Sequence, residues 1–180
     1  MEKQIKIKII SKQYELSKIL MDKLFSDFEE ISEDAEEICA EREDEDTLSL
    51  VAEGVISDDG ERIEIRYEES ELTGMEGATT TLSFERKNPN LVTMLRGGSV
   101  TTAMAFEPKK RHICVYETPY MPFELCIHTL ELKNELLTCG RLYLDYVVEF
   151  KGAQAERTKF TMTLEEKKAA YEPLDEYDDV

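Results

Sequence analysis

The fold is decided by the stretch LYLDYVVEF, which occupies residues 142–150. Every second side chain in it is apolar: Leu142, Leu144, Tyr146, Val148 and Phe150. Successive side chains of a β-strand point to opposite faces, so a period of two places these five on one face. We therefore predict a half-buried strand that ends at the turn Lys151-Gly152.

The same alternation recurs along most of the chain. Ile5, Ile7 and Ile9 alternate with polar residues near the N-terminus. From Thr47 onward, short alternating segments are separated by turns such as Asp58-Asp59-Gly60. The pattern predicts a mainly β fold, a single antiparallel β-barrel of about 8–10 strands. Closing the barrel removes two exposed edges and pairs the N-terminal strand with a late strand.

A helical period interrupts this pattern after the first strand. Apolar residues recur there every three or four positions, at Leu16, Ile19, Leu20, Leu24, Phe28, Ile31, Ala35 and Ile38. We predict an α-helical insertion over residues 14–45 within one domain of residues 1–170. An acidic tail follows at residues 171–180.

The charge of the chain restricts its partners. The formal net charge is −18, and 11 acids against one base lie between Glu29 and Asp46. Without a basic patch to release phosphate counterions, we expect no binding to nucleic acid or to a membrane. No apolar run approaches the roughly 20 residues of a membrane span. The four cysteines form no C-x-x-C pair, so we expect free thiols and a cytoplasmic location.

Four segments resemble the bacterial YwiB-like family, a domain of unknown function. They are Tyr67 to Gly77 (YEESELTGMEG), Arg96-Gly97-Gly98, Arg111-His112 with Tyr116 to Tyr120 (YETPY), and Leu142 to Tyr146 (LYLDY). The similarity covers roughly residues 47–165 and the first strand. It implies a calycin-type barrel, the architecture of lipocalins and fatty-acid-binding proteins, but neither a reaction nor a ligand.

The chain departs from that family in two places. The family joins its first two strands by a short link, where this chain has the predicted insertion. The family also tends to have glycine at the position of Met121. If that position requires positive φ, a methionine is strained there by about 1 kcal/mol or more.

Five residues are candidates for binding a ligand inside the barrel. Arg96 and Arg111 stand near strand ends, where either could hold an anionic group or pair with a glutamate at the rim. Tyr67, Tyr116 and Tyr146 could line a cavity and offer hydroxyls, or could fill the core.

Both histidines and two cysteines fall on one predicted hairpin. A three-residue loop of Pro119, Tyr120 and Met121 would pair Thr118 with Pro122. Four potential metal ligands would then share one face: His112, Cys114, Cys126 and His128. Their Cβ atoms would lie about 5 Å apart, which suits metal ligation or a thiol pair.

The opposite face of that hairpin favours a structural interpretation. It carries four aliphatic side chains that suit the barrel interior: Ile113, Val115, Leu125 and Ile127. A flat sheet face also splays four ligands poorly around a tetrahedral ion. We therefore predict that the His/Cys face lies outside, and we expect no metal and no cofactor.

Three hypotheses for function follow. The first is a non-catalytic barrel that binds a small apolar or amphipathic molecule in a cavity of a few hundred Å3. The second is a protein-interaction module or homo-oligomer that uses the acidic insertion or the outer wall. The third and least favoured is an enzyme, because the sequence lacks G-x-S-x-G, H-E-x-x-H and a phosphate-binding glycine loop.

Overall fold

The structure, a computed structural model, describes residues 1–16, 45–150 and 154–166. Within these ranges the chain forms ten β-strands and one short 3-10 helix, Glu71–Thr73. The strands are β1 Glu2–Leu16, β2 Glu45–Asp58, β3 Arg62–Glu68, β4 Thr79–Glu85, β5 Asn88–Gly97, β6 Thr101–Phe106, β7 Arg111–Glu117, β8 Pro122–Glu135, β9 Arg141–Phe150 and β10 Gln154–Glu166.

The ten strands form a closed antiparallel barrel. Each strand pairs with its neighbours in the sequence, and β1 closes the ring by pairing with β10. Ile7, for example, lies opposite Leu164 on β10 and opposite Ala52 on β2. The predicted closed barrel and the pairing of the first strand with a late one are therefore confirmed.

The barrel has two unlike ends. We call the end at which the odd-numbered strands finish the upper end, and the opposite one the lower end. The lower half is filled by fully buried apolar side chains, including Ile63, Leu82, Phe106, Leu142 and Met162. Their alternation along each strand places them inside, as predicted for Leu142 and Leu144 on β9.

The predicted helical insertion is wrong at both of its ends. Tyr14 to Leu16 continue β1, and Glu45 already belongs to β2. Residues 17–44, which carry the rest of that prediction, and the predicted tail at residues 171–180 lie outside the described residues. In the described part of the chain, no helix is both long and apolar enough to cross a lipid bilayer.

The β7–β8 hairpin differs from the prediction by one residue of register. Glu117, not Thr118, pairs with Pro122, because the loop contains four residues, 118–121. The Thr118 hydroxyl donates to the Met121 carbonyl at 2.9 Å and accepts from the Tyr120 and Met121 amides. These bonds close a four-residue turn that residue counting did not anticipate.

This shift changes which side chains of the hairpin face inward. Cys114 lies opposite Leu125, and both point into the barrel, whereas Cys126 lies opposite Ile113 on the outer wall. Leu125 and Ile127 are inside as predicted. The prediction for Ile113 and Val115 is wrong, since they are 70% and 50% exposed.

Met121 does not have the positive φ that would strain a methionine at this position. Among the described residues, the non-glycine residue with positive φ is Lys109, at 62°. Lys109 lies in the β6–β7 turn, where its amide donates to the Thr129 carbonyl at 2.9 Å.

Candidate functional site

A cavity of about 570 Å3 occupies the upper half of the barrel. Its walls come from inward-facing side chains of the upper strand ends and from residues 72–75, which follow β3. The apolar part of the lining consists mainly of Ile9, Leu48, Leu50, Met104, Leu125, Val148 and Phe160. The size lies within the usual range for small-molecule sites.

A buried ion pair forms one polar region of the cavity. The Arg96 Nε lies 3.5 Å from Glu69 Oε1, and the two side chains are 16% and 2% exposed. The Thr80 hydroxyl donates to the same Glu69 oxygen. The Arg96 Nε is buried and has no hydrogen-bond partner in the part of the chain that the structure describes. An acceptor atom on a ligand would satisfy this donor, since buried polar groups without partners are costly.

Three tyrosines from different strands line the same cavity: Tyr67 on β3, Tyr116 on β7 and Tyr146 on β9. Burial raises the pKa of Tyr67 well above its ordinary value, and the nearby Glu69 carboxylate raises it further. Burial also raises the pKa of Tyr146. Both hydroxyls therefore stay protonated at neutral pH and can donate hydrogen bonds. The Tyr146 ring packs edge-on against Phe106, with centroids 4.8 Å apart.

A second polar region of the cavity, acidic in character, lies on the side of β1 and β10. Glu156 and Thr158 line it from β10, and Gln13 and Asp46 from the adjoining strands. Burial raises the pKa of Glu156, a hydrogen bond from Thr158 at 3.4 Å opposes this rise, and repulsion from Glu15 and Asp46 adds to it. A ligand group that donates a hydrogen bond would be favoured here.

The structure brings four of the five sequence-predicted ligand residues to this cavity: Arg96, Tyr67, Tyr116 and Tyr146. Arg111 is not among them. It faces outward from β7, is 58% exposed, and donates to Glu149 Oε2 at 3.2 Å. Because β7 alternates, the inward position next to Arg111 belongs to His112.

The sequence analysis missed two carboxylates of the cavity, the buried Glu69 and the half-buried Glu156. A signal for Glu69 exists, because it extends the inward-facing period Ile63, Ile65 and Tyr67 by one more step. Arg96 likewise continues the inward series Val92 and Met94 on β5. Acidic residues are almost never fully buried unless paired, and the pairing of Glu69 with Arg96 is visible only in three dimensions.

The predicted His/Cys cluster is divided between the two faces of the sheet. Cys114 and His112 face inward, and His112 Nε2 lies 3.6 Å from Glu107 Oε2. Cys126 and His128 lie on the outer wall beside Glu149, whose Oε2 is 3.0 Å from His128 Nε2. One ligand atom from each of these three outer residues lies within 4.8 Å of the others. Burial lowers the pKa of His128, and its hydrogen bond with Glu149 opposes this.

Comparison with known proteins identifies the family. Residues 34–162 match the model of a domain of unknown function, DUF1934. The chain belongs to the DUF1934 family. This match confirms the predicted YwiB-like resemblance.

A solved structure agrees with the DUF1934 assignment. The crystal structure of the ywiB protein from Bacillus subtilis matches with a TM-score of 0.57 and 11% sequence identity, covering 90% of this chain and 92% of that chain. At this identity the likeness establishes the barrel fold alone. Among curated proteins, none matches the chain.

Proposed function

We propose that this DUF1934 protein is a non-catalytic barrel that binds a small amphipathic molecule in its upper cavity. The observation that carries the proposal is the Arg96–Glu69 pair, a buried ion pair that lines a cavity with both polar and apolar walls. Charged groups are expensive to bury, and hydrophobic residues of similar volume often stabilise a core as well or better. The position of the pair in the wall of a cavity of about 570 Å3 therefore favours a role in binding.

The lining also indicates the chemistry of the ligand. Ile9, Leu50 and Phe160 offer apolar surface for a hydrocarbon or aromatic body. Arg96 and the tyrosine hydroxyls donate hydrogen bonds, whereas Glu69 accepts them. A head group that carries both acceptors and donors, uncharged or zwitterionic, would use both members of the pair without leaving either charge unbalanced.

The absence of catalysis is part of the proposal. Neither histidine of the protein lines the cavity. Ser11, Thr47, Thr73 and Thr158 supply hydroxyls there, and the Thr158 hydroxyl donates to Glu156 Oε1 at 3.4 Å. We rank an enzyme last, as from the sequence, because histidine is the most common base for a hydroxyl nucleophile and neither histidine lines the cavity. The architecture of calycins and lipocalins suits ligand binding, an analogy of fold and not of site.

A cavity-filling variant tests the proposal. Leu50 lines the cavity and is 7% exposed, whereas its neighbour Val51 points outward and is 58% exposed. We expect the wild-type protein to bind the apolar dye anilinonaphthalene sulfonate at one saturable site. The L50W variant should bind it at least about tenfold more weakly, and V51W should bind it like the wild type. Equal binding by L50W and V51W would refute the proposal.

Identification of the natural ligand requires a separate measurement. Native mass spectrometry of freshly purified protein should detect a mass adduct that is released on denaturation. The adduct should be depleted in the L50W variant and retained in V51W. An adduct present equally in both variants would lie elsewhere on the protein.

A second function, homo-oligomerisation through the outer wall, is favoured by exposed apolar residues on β5 and β7. Leu95, Ile113 and Val115 are 43%, 70% and 50% exposed. An exposed apolar patch on the outer wall suits a two-fold contact between identical chains.

Light scattering after size exclusion tests this second function. A dimer that becomes monomeric in the I113E variant, while V51E leaves the mass unchanged, would support it. A wild-type protein that is monomeric at high micromolar concentration would refute it. The acidic insertion, the other contact surface inferred from the sequence, lies outside the described residues.

The remaining proposals concern location and partners. The net charge of −18 argues against nucleic acid and anionic membranes as partners, because phosphate groups would be repelled. We propose a cytoplasmic protein, since the three described cysteines are free thiols, as a reducing compartment would keep them.

A further inference from the structure

We propose that Cys126, His128 and Glu149 form a zinc-binding site on the outer wall of the barrel. This site is separate from the upper cavity and does not depend on the proposed ligand. Its three residues supply a thiolate, an imidazole and a carboxylate, the ligand types that Zn²⁺ binds in proteins. Three protein ligands would leave the fourth coordination position to water.

Strand geometry explains how the three side chains meet. Cys126 and His128 are two residues apart on β8 and so project from the same face. Glu149 lies directly opposite Cys126 on β9. Two ligands in an i, i+2 relationship and a third across the ladder form a triangle, which suits an ion above the sheet better than four coplanar positions would.

The distances are close to those that a zinc ion requires. Bonds of about 2.3 Å to sulfur and about 2.0–2.2 Å to nitrogen and oxygen place tetrahedral ligand atoms about 3.3–3.7 Å apart. His128 Nε2 and Glu149 Oε2 are 3.0 Å apart, and all three ligand atoms fall within 4.8 Å of one another. Rotamer adjustments of about an ångström would complete the site.

Burial favours a bound ion over a solvated ion pair. The His128 side chain is 1% exposed and Glu149 is 17% exposed. A divalent cation, one thiolate and one carboxylate sum to zero charge, so the loaded site would carry no net charge. Binding would release the Cys126 thiol proton to solvent.

Arg111 is a partner of Glu149 that a zinc ion would displace. Its guanidinium donates to Glu149 Oε2 at 3.2 Å, but the side chain is 58% exposed and can turn into solvent. Exposed ion pairs contribute little free energy, so this displacement costs little compared with three metal–ligand bonds. The R111Q variant should therefore bind zinc at least as tightly as the wild type.

Cobalt substitution tests the site in the full-length protein without an affinity tag. We expect one equivalent of Co²⁺ to produce a thiolate-to-cobalt charge-transfer band that Zn²⁺ bleaches. The C126S variant should lose the band and bind Zn²⁺ at least about tenfold more weakly, as measured by competition with a chelating dye. The matched C139S variant, which alters the exposed Cys139, should keep both properties.

A measurement on the wild-type chain covers the case in which C126S fails to fold. Zn²⁺ should protect Cys126 from iodoacetamide, as judged by peptide mass spectrometry, while Cys139 continues to react at its metal-free rate. A charge-transfer band that survives in folded C126S, a band lost in C139S, or alkylation of Cys126 unaffected by Zn²⁺ would each overturn the proposal.

Discussion

Arg157 and Asp145 form a two-point ion pair on the outer face of β10 and β9. The Arg157 Nε donates to Asp145 Oδ1 at 2.9 Å, and its Nη2 donates to Oδ2 at 2.7 Å. The side chains are only 4% and 5% exposed. Val147 and His128, also on the outer face, are equally buried. The side chains on this part of the outer wall are therefore shielded from solvent, and their polar groups must be paired.

Removal of one partner should be far more damaging than removal of both. We expect D145N to lower the free energy of unfolding by about 3–5 kcal/mol, because it removes the negative charge that binds the buried Arg157 guanidinium at two points. The double variant D145L/R157M should recover most of that loss. Urea denaturation followed by circular dichroism gives the values.

An exposed pair provides the control for that comparison. Lys6 and Glu165 lie 4.0 Å apart, and each is more than half exposed. E165Q should change the free energy of unfolding by less than about 1 kcal/mol. If D145N lowered the free energy of unfolding as little as E165Q does, the buried pair of Arg157 and Asp145 would not make the predicted contribution to stability.

Gly98 holds the turn after β5 against the loop that borders the cavity. Its φ is +126°, and a Cβ atom built there would lie 2.3 Å from the Gly77 carbonyl oxygen. We expect G98A to lower the free energy of unfolding by more than about 2 kcal/mol, because it adds a backbone clash to the conformational strain.

Gly60 is a control that distinguishes the conformational strain from the backbone clash. Its φ is +94°, yet a Cβ there would meet nothing within 4 Å. G60A should cost only about 1 kcal/mol, the conformational term alone. Equal losses in the two variants would show that the contact between Gly98 and Gly77 contributes nothing.

Glu156 should make stability depend on pH. Burial raises its pKa in the folded protein above the ordinary value of 4.5. The folded state then holds its proton more tightly than the unfolded state. The contribution is complete below pH 4.5 and is lost as the pH rises through the folded-state pKa.

The E156Q variant should remove this part of the pH dependence. Glutamine resembles the protonated carboxyl, so E156Q and the wild type should be equally stable at pH 4, and E156Q should be the more stable at pH 7.5. Thermal melts at both pH values measure the difference. E124Q, which changes an exposed glutamate on β8, should follow the wild type throughout. If the wild type instead gained stability relative to E156Q as the pH rises, the pKa of Glu156 would be lowered on folding, contrary to the prediction.

The barrel itself was predictable because its signal is local. Alternation in LYLDYVVEF and its counterparts identifies inward positions without any knowledge of long-range contacts, and only closure of the ring then satisfies every strand edge. The pair Val147-Val148 breaks strict alternation, and both residues are at least partly buried. That break was the available hint that the outer wall at β9 is covered.

The candidate sites were harder to predict because they depend on register and on pairing across the barrel. One additional residue in the turn at Thr118 moved His112 and Cys114 to the interior and left Cys126 and His128 outside. Arg96 was found from its position near a strand end, and the three tyrosines were found as side chains that could line a cavity with their hydroxyls. Glu149 was not predicted as a site residue, because its neighbours on β8 are known only once the register between β8 and β9 is defined.

The register of the β7–β8 hairpin predicts a definite order of cysteine reactivity. Cys139 is exposed, Cys126 is partly buried, and Cys114 is buried inside the barrel, where burial also raises its pKa. Alkylation requires an accessible thiolate. In native protein kept metal-free with a chelator, iodoacetamide should modify Cys139 first, Cys126 next and Cys114 last. Pulse labelling followed by peptide mass spectrometry measures the three rates, and unfolding in urea should make them converge.

The same register forbids a disulfide between Cys114 and Cys126. Cys114 lies opposite Leu125, and its side chain and that of Cys126 project to opposite faces of the sheet. Mild oxidation with diamide should therefore give no cross-linked peptide that contains both residues. The alternative register, in which Thr118 pairs with Pro122, places them opposite each other with Cβ atoms about 5 Å apart and predicts rapid cross-linking. Detection of that cross-link in folded protein would show that the hairpin turn has three residues and that its inner and outer faces are reversed on β7.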